Sequence, residues 1–338
     1  MKTLFDTTRL GGLTLKNRVV RAAVHEAVAD GRIHDGLLGV YASLAQGGVG
    51  SIITGFALVD EAEQAFPLLA FYNDAFIEGH TQLVDRVHAY ATPIILQLVY
   101  VGSYVMGDPQ GMRILAPSAV ANRNTRIMPQ AISREAIKRI QRKFAEAALR
   151  AKQAGYDGVE LHGAHGFLLS QFMTPYYNRR TDDYGGSAQN RARMIIETYE
   201  AVRQAVGDNF SVWIKLNVTD GFEQGVIFDD VLYVCEQLTQ KGVDAIEISG
   251  AFTAFPPEAT SYFKAEAETI AAANDTAVIV TGGNRHLQEM TEILNTTKIR
   301  YFGMARPLMK NPDLIKRFAQ DQNLMREAQR MESQPRES

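Results

Sequence analysis

Short, mostly apolar runs recur along the chain, separated by longer stretches of helical periodicity. The runs are Val19–Val24, Ser51–Gly55, Pro93–Val99, Gly158–His162, Ser211–Asn217, Asp244–Ser249, Ala277–Gly282 and Arg300–Ala305. Apolar residues occupy both parities in them, as in strands covered on both faces of a parallel sheet. The clearest helix is predicted over Ser133–Gly155. Ser133 suits the N-cap and Glu135 the first turn; Ile137, Ile140, Phe144, Ala147, Ala148 and Ala151 recur at helical spacing, and Gly155 fits the stop. Residues 74–91, 189–206, 228–241, 262–273 and 286–296 carry the same pattern more weakly.

Strands that alternate with helices over this length predict an α/β fold, the (β/α)8 TIM barrel. A doubly wound open sheet is the runner-up, and it lacks the Gly-x-Gly-x-x-Gly expected after a first strand. The expected organisation is a single domain over residues 1–338, with a loop insertion at about 101–132 and a frayed tail at 329–338. The insertion is too long for an ordinary βα loop. In a barrel it would lie at the C-terminal face and wall or cap a site.

Composition narrows the function classes. Apolar residues make up 46% and charged residues 22% of the 338 positions, ordinary for a soluble globule. With 35 Lys+Arg against 38 Asp+Glu the net charge is -3, which weighs against nucleic acid as a partner. Cys235 is the one cysteine, so this chain alone builds no disulfide scaffold, thiolate zinc site or Cys-ligated iron–sulfur cluster. No apolar run reaches the length of a membrane span, and MKTLFDTTRL lacks a signal peptide's apolar core. A cytoplasmic location without membrane contact is expected.

In a barrel, chemistry collects at the C-terminal ends of the strands. Here those ends carry His25-Glu26, Gly55, Gln97-x-x-Tyr100, His162-x-x-His165, Lys215-x-Asn217, Ser249-Gly250, Gly282-Gly283 and Ala305-Arg306. Gly282 and Gly283 permit close backbone approach, and Arg306 can add a charged fork, so the last two ends suggest a phosphate site. The plain alternative is a chain turn and a surface ion pair. Lys215 suits a structural ion pair, a Schiff base or a cation beside an anionic cofactor ring, and spacing does not choose among them. His162 and His165 stand one tight turn apart. As two ligands without a third they make a poor zinc site, and no metal is expected. They either donate together to one substrate oxygen or split into one core and one exposed histidine. Gln97 can offer a ring both a donor and an acceptor, or simply bond neighbouring backbone.

The stretch from Gly158 to Arg193, GVELHGAHGFLLSQFMTPYYNRRTDDYGGSAQNRAR, resembles the signature of the Old Yellow Enzyme family. LKNRVVRAAV, GGVGSIITG, ILQL, VIVTGGNR and FGMARPLMKNPDL extend the likeness over most of the chain. The resemblance implies a (β/α)8 barrel that binds FMN and takes electrons from NADH or NADPH. It places Ala23, Val24 and His25 along the flavin edge, Gly55 beside the ring, Gln97 at its pyrimidine portion and Lys215 by N1 and the C2 oxygen. It assigns Gly282, Gly283, Ala305 and Arg306 to the phosphate, and His162 and His165 to the oxygen of an enone. A ping-pong cycle follows, in which hydride passes from flavin N5 to an activated alkene, a quinone or a flavin.

Departures from the family pattern bear on the proton. Relatives often carry Tyr two residues after the second histidine, where this chain has Phe167. Tyr100, Tyr177, Tyr262 or water are the substitutes, and Tyr100 is taken as the third catalytic candidate. His25 stands where many relatives have Cys or Thr. Larger relatives carry an iron–sulfur cluster and a further nucleotide-binding domain, so here a small donor is expected to reach the flavin directly. The alternatives are a non-catalytic flavin-binding barrel, a Schiff-base lyase using Lys215, and an RNA-modifying FMN barrel like the dihydrouridine synthases. A homo-oligomer is left open, as is the physiological substrate.

Overall fold

The structure, a computed structural model, describes residues 1–28, 30–63, 67–105, 111–250, 255 and 258–333. The expected strands form as β1 (Val19–Arg21), β2 (Ser51–Ile53), β3 (Ile94–Val99), β4 (Gly158–Gly163), β5 (Ser211–Asn217), β6 (Ala245–Ser249), β7 (Ala277–Thr281) and β8 (Tyr301–Met304). Each pairs in parallel with the next; β8 returns to β1, so the sheet closes on itself. The (β/α)8 barrel expected from the sequence is the fold.

The helices between strands are α1 (Asp35–Gln46), α2 (Ile77–His88), α3 (Arg134–Gln153), α4 (Ala188–Val206), α5 (Phe228–Gln240), α6 (Lys264–Ala273), α7 (Leu287–Thr296) and α8 (Leu314–Ser333). In α3 the Ser133 hydroxyl accepts the Ala136 N–H at 3.2 Å, and Ile137, Ile140, Phe144, Ala147, Ala148 and Ala151 are buried against the strands. The α8 helix runs into the tail expected to fray; residues 334–338 of that tail and 106–110 of the insertion lie outside the described residues.

The two parities of each strand have different fates. One set, with Leu96, Leu161, Ile214 and Ile248, packs outward under the helices in a continuous apolar layer. The other set fills the barrel. At its lower end Val20, Ile53, Ile95, Trp213, Ala245, Ile279 and Tyr301 form a separate apolar plug with Leu10 and Leu15. Those two leucines come from a hairpin, Thr8–Leu10 with Leu13–Leu15, that the sequence reading did not anticipate. Its turn sits so close that a Cβ on Gly11 would lie 2.6 Å from the Asp244 Cβ. The hairpin seals the N-terminal mouth, which leaves the C-terminal mouth for chemistry.

The family-like motif after β4 is a brace. Asn178 Nδ2 donates to the Phe172 and Tyr184 carbonyls, each at 2.7 Å. Arg180 ties the Ile132 and Pro117 carbonyls, at 2.6 and 3.0 Å, and pairs with Asp182 at 2.6 Å. Arg191 on α4 pairs with Asp230 on α5, both largely buried. These bonds fasten the long segment after β3 over the β4 end of the mouth.

Candidate active site

The barrel interior turns polar above its apolar plug. Gln97, Glu160, Lys215 and Glu247 come from four consecutive strands, with Glu160 opposite Gln97 and Lys215 opposite Glu247 in register. All four are at most 2% exposed, so each polar atom needs a partner. Lys215 Nζ lies 2.9 Å from Glu247 Oε1, and Gln97 Nε2 donates to Glu160 Oε2 at 2.5 Å. Burial first, then the neighbouring Glu247 carboxyl, pushes the Glu160 acid well above the usual carboxylate range. The Oε1 of Gln97 and the Oγ1 of Thr281 are buried with no donor among the described residues.

His162 ends β4 directly beside Lys215, its register partner on β5. The Ala164 N–H donates to its Nδ1 at 3.3 Å, which leaves the ring proton on Nε2. The chain then turns sharply. His165 adopts φ +57°, a left-handed conformation uncommon for a residue with a side chain, and Gly166 follows at +78°. The strain is held by the His165 N–H donating to Asn217 Oδ1 at 3.1 Å and by Ser249 Oγ, 3.0 Å from His165 Nε2. The two imidazole centroids end 5.2 Å apart. Both rings are held well below the usual histidine range, by desolvation first; His165 and Lys215 add to this at His162, and Lys215 at His165. They are therefore neutral near pH 7.

Aromatic rings wall this point. Phe167 lies 4.7 Å from His162, Phe56 5.6 Å from it, and His25 stacks on Phe56 at 5.6 Å. A cavity of about 310 Å³ opens beside His165, lined also by Tyr104, Arg123, Tyr177, Asn217 and Phe222. That is the size of a small-ligand site.

The remaining expected residues distribute as follows. Ala23 and Val24 follow β1 at the mouth, and exposed His25 reaches the Pro67 carbonyl at 3.1 Å. Gly55 follows β2; a Cβ there would lie 2.2 Å from the Glu26 Cγ, and its N–H donates to Tyr41 Oη at 2.7 Å. Gly282 and Gly283 have φ of +129° and +79°, but their open sides are filled by Phe263, Tyr262 and the Ser261 N. Ala305 precedes the short helix Arg306–Lys310, and Arg306 is exposed. Tyr100 is a correction: it packs in the outer layer and bonds Arg139 of α3, away from the histidines. Strand parity is the reason, because Gln97 faces inward and Tyr100, three positions on, must face outward. Sequence reasoning passed over Glu160 and Glu247, whose signal is a carboxylate inside an apolar run.

A family model described as NADH:flavin oxidoreductase / NADH oxidase family matches residues 3–325. The chain belongs to this family. It is 32% identical over 324 residues to a metal reductase of Desulforamulus reducens, covering 93% of this chain and 48% of that one. It thus spans about half the length of that relative. An NADPH dehydrogenase of Listeria welshimeri is 31% identical over 322 residues and is covered to 94%, as is this chain. Among solved structures, morphinone reductase in complex with tetrahydroNAD superposes with a TM-score of 0.82 at 28% identity, covering 95% of this chain and 91% of that one. Membership bears out the Old Yellow Enzyme likeness and the flavin oxidoreductase family expected from the sequence.

The mouth of this NADH:flavin oxidoreductase family member fits the ring end of FMN. The Gln97 Oε1 acceptor and the Thr281 hydroxyl are buried without a partner among the described residues, and the flavin ring system brings N–H and C=O groups. At the other end Arg306 is exposed after β8, and no carboxylate pairs with it among the described residues. The glycines before it already accommodate the chain's own Tyr262 and Ser261.

Proposed function

We propose that the protein is an FMN-dependent NAD(P)H oxidoreductase whose His162–His165 pair grips the oxygen of an electron-poor acceptor, an enone-type alkene or a quinone. One observation carries the reading: two neutral imidazoles, 5.2 Å apart, beside Lys215 and next to a ligand-sized cavity. FMN, when bound, supplies the hydride chemistry between nicotinamide and acceptor. Gln97, Lys215, Ala23, Val24, His25 and Gly55 are the residues for its ring, and Gly282, Gly283, Ala305 and Arg306 those for its phosphate.

The chain's own residues supply orientation and charge. Neutral histidines donate hydrogen bonds without placing a full charge in the site, so they polarise a carbonyl most strongly as negative charge develops on its oxygen. Asn217 and Ser249 fix His165, and the Ala164 N–H fixes the His162 tautomer. Phe56 and Phe167 exclude water from the clamp. The proton for the second carbon comes from the cavity side. Tyr177 lines that cavity with His165, and burial keeps its hydroxyl protonated. Tyr262 instead stacks on Phe255 at 4.0 Å.

A Schiff-base role for Lys215 is disfavoured, because a lysine engaged by a buried carboxylate lacks the lone pair that imine formation needs. Domain extent, cytoplasmic location and self-association belong to this reading as expectations. Among the described residues no helix is long and apolar enough to cross a membrane. The test is phenol binding to FMN-loaded protein, since a phenolate mimics an enolate oxygen. His162→Ala with His165→Ala should keep FMN and weaken phenol binding at least about tenfold, on the scale of a charge-assisted hydrogen bond. Unchanged phenol affinity would overturn the clamp.

A further inference from the structure

Three titratable side chains are packed together below the mouth, and with all of them ionised two carboxylates would face one ammonium. Glu160 and Glu247 are fully buried, and among the described residues Lys215 is the one ammonium beside them. Arg21 is buried too, but it faces outward from β1, over the Tyr41 ring of α1 at 5.2 Å, and is committed to Glu26 at 2.6 Å and to the Ile53 carbonyl at 2.7 Å. Among the described residues the remaining strand neighbours bring no cation: Gln97 on β3 is an amide, His162 on β4 is neutral, and Ile279 on β7 is apolar.

The hydrogen bonds show what is missing. Glu160 uses Oε2 to accept from Gln97, and Glu247 uses Oε1 to accept from Lys215. Their other oxygens, Glu160 Oε1 and Glu247 Oε2, are buried with no donor among the described residues, and the two carboxyls come from the strands that flank β5 and Lys215 on either side. Two neighbouring buried carboxylates that share one ammonium repel each other unless one of them holds a proton. A second uncompensated carboxylate in this interior would also carry a penalty of several kcal/mol.

We propose that Glu160 and Glu247 hold one proton between them, and that the pair acts as a positioning unit setting the charge that Lys215 presents to the cofactor. With that proton in place, Lys215 and one carboxylate cancel. The Gln97 amide is held with its nitrogen toward Glu160, so its oxygen is left to accept from the ring. The proton also makes the cluster adaptable. If either carboxyl is removed, the other gives up the proton and becomes the partner of Lys215, and the net charge stays the same.

The electrostatic role rests on the FMN reading, but the shared proton does not, so the two are tested separately. In apoprotein at neutral pH, infrared spectroscopy should show the C=O stretch of a buried un-ionised carboxyl. Glu160→Gln and Glu247→Gln should each abolish it. Absence of the band from wild type, or its survival in both variants, would overturn the proposal. The wild-type spectrum decides by itself should a variant fail to fold. In FMN-loaded protein, each single variant should keep the flavin midpoint potential, whereas the double variant exposes Lys215 and should shift it upward. A purely structural role would not produce this non-additive pattern. If each single variant instead raised the potential, both carboxyls would be ionised in the native protein and the shared proton would be refuted. Failure to bind FMN would count against the functional reading and leave the infrared result standing.

Discussion

The Old Yellow Enzyme resemblance implies a proton-donating tyrosine at the position of Phe167, whose ring lies 4.7 Å from His162. Phenylalanine carries no exchangeable proton, so Phe167→Tyr should raise alkene reduction several-fold if proton delivery limits the rate. Single-turnover reoxidation of the flavin by an enone checks this, and an unchanged rate means that Tyr177 or solvent already suffices. At this scale the sequence was partly legible. Residues at strand ends could be picked out because position along a barrel strand sets which side chains reach the mouth. Tyr100 lies outside the mouth because it stands three positions beyond the inward-facing Gln97, on the opposite face of the strand. Glu160 and Glu247 were passed over because they lie within apolar runs, where hydropathy hides a single carboxylate. The brace formed by Asn178, Arg180 and Asp182 explains why the most recognisable motif in the chain does structural work rather than chemistry.

The turn after β7 distinguishes packing from ligand cradling. A Cβ on Gly283 would lie 2.9 Å from the Ser261 backbone nitrogen and 2.7 Å from the Tyr262 ring, at a φ of +79°. Backbone does not yield as a flexible side-chain tip does, so Gly283→Ala should cost about 1–3 kcal/mol of stability. Urea unfolding of the apoprotein measures it. Unchanged stability with weakened FMN binding would mean that the glycine serves only the phosphate. Strands and most helices were legible because their periodicities are local. The α1 helix was not singled out, since its apolar stripe is interrupted by Gly36 and Gly39. The N-terminal hairpin escaped because its strands are too short for a pattern, and its place is set by contacts with Ser211 and Asp244 far along the chain.

The whole molecule stores several histidines in neutral form. Burial holds His80 down to about 3, and it holds His162 and His165 well below the usual range. In the unfolded chain these rings titrate near 6.5. Below that pH the unfolded state binds protons that the native state refuses, so stability falls as pH falls from about 6.5. Each fully buried ring contributes a slope of about 1.4 kcal/mol per pH unit. His80→Phe should therefore flatten the acid limb of a stability–pH curve measured by urea unfolding, whereas an unchanged slope would place the acid sensitivity elsewhere. Glu160 acts in the opposite sense: its acid is raised by burial, so it stabilises the fold at low pH and loses that contribution as pH rises through its native titration.

The central claim is that the C-terminal mouth holds FMN and passes electrons from a nicotinamide. The most direct measurement is visible absorption of FMN-reconstituted protein during anaerobic titration with NADH and then NADPH. The account predicts a bound-flavin spectrum that bleaches with one equivalent of at least one donor. A protein that retains no FMN, or whose bound FMN keeps its colour with both donors, would contradict it.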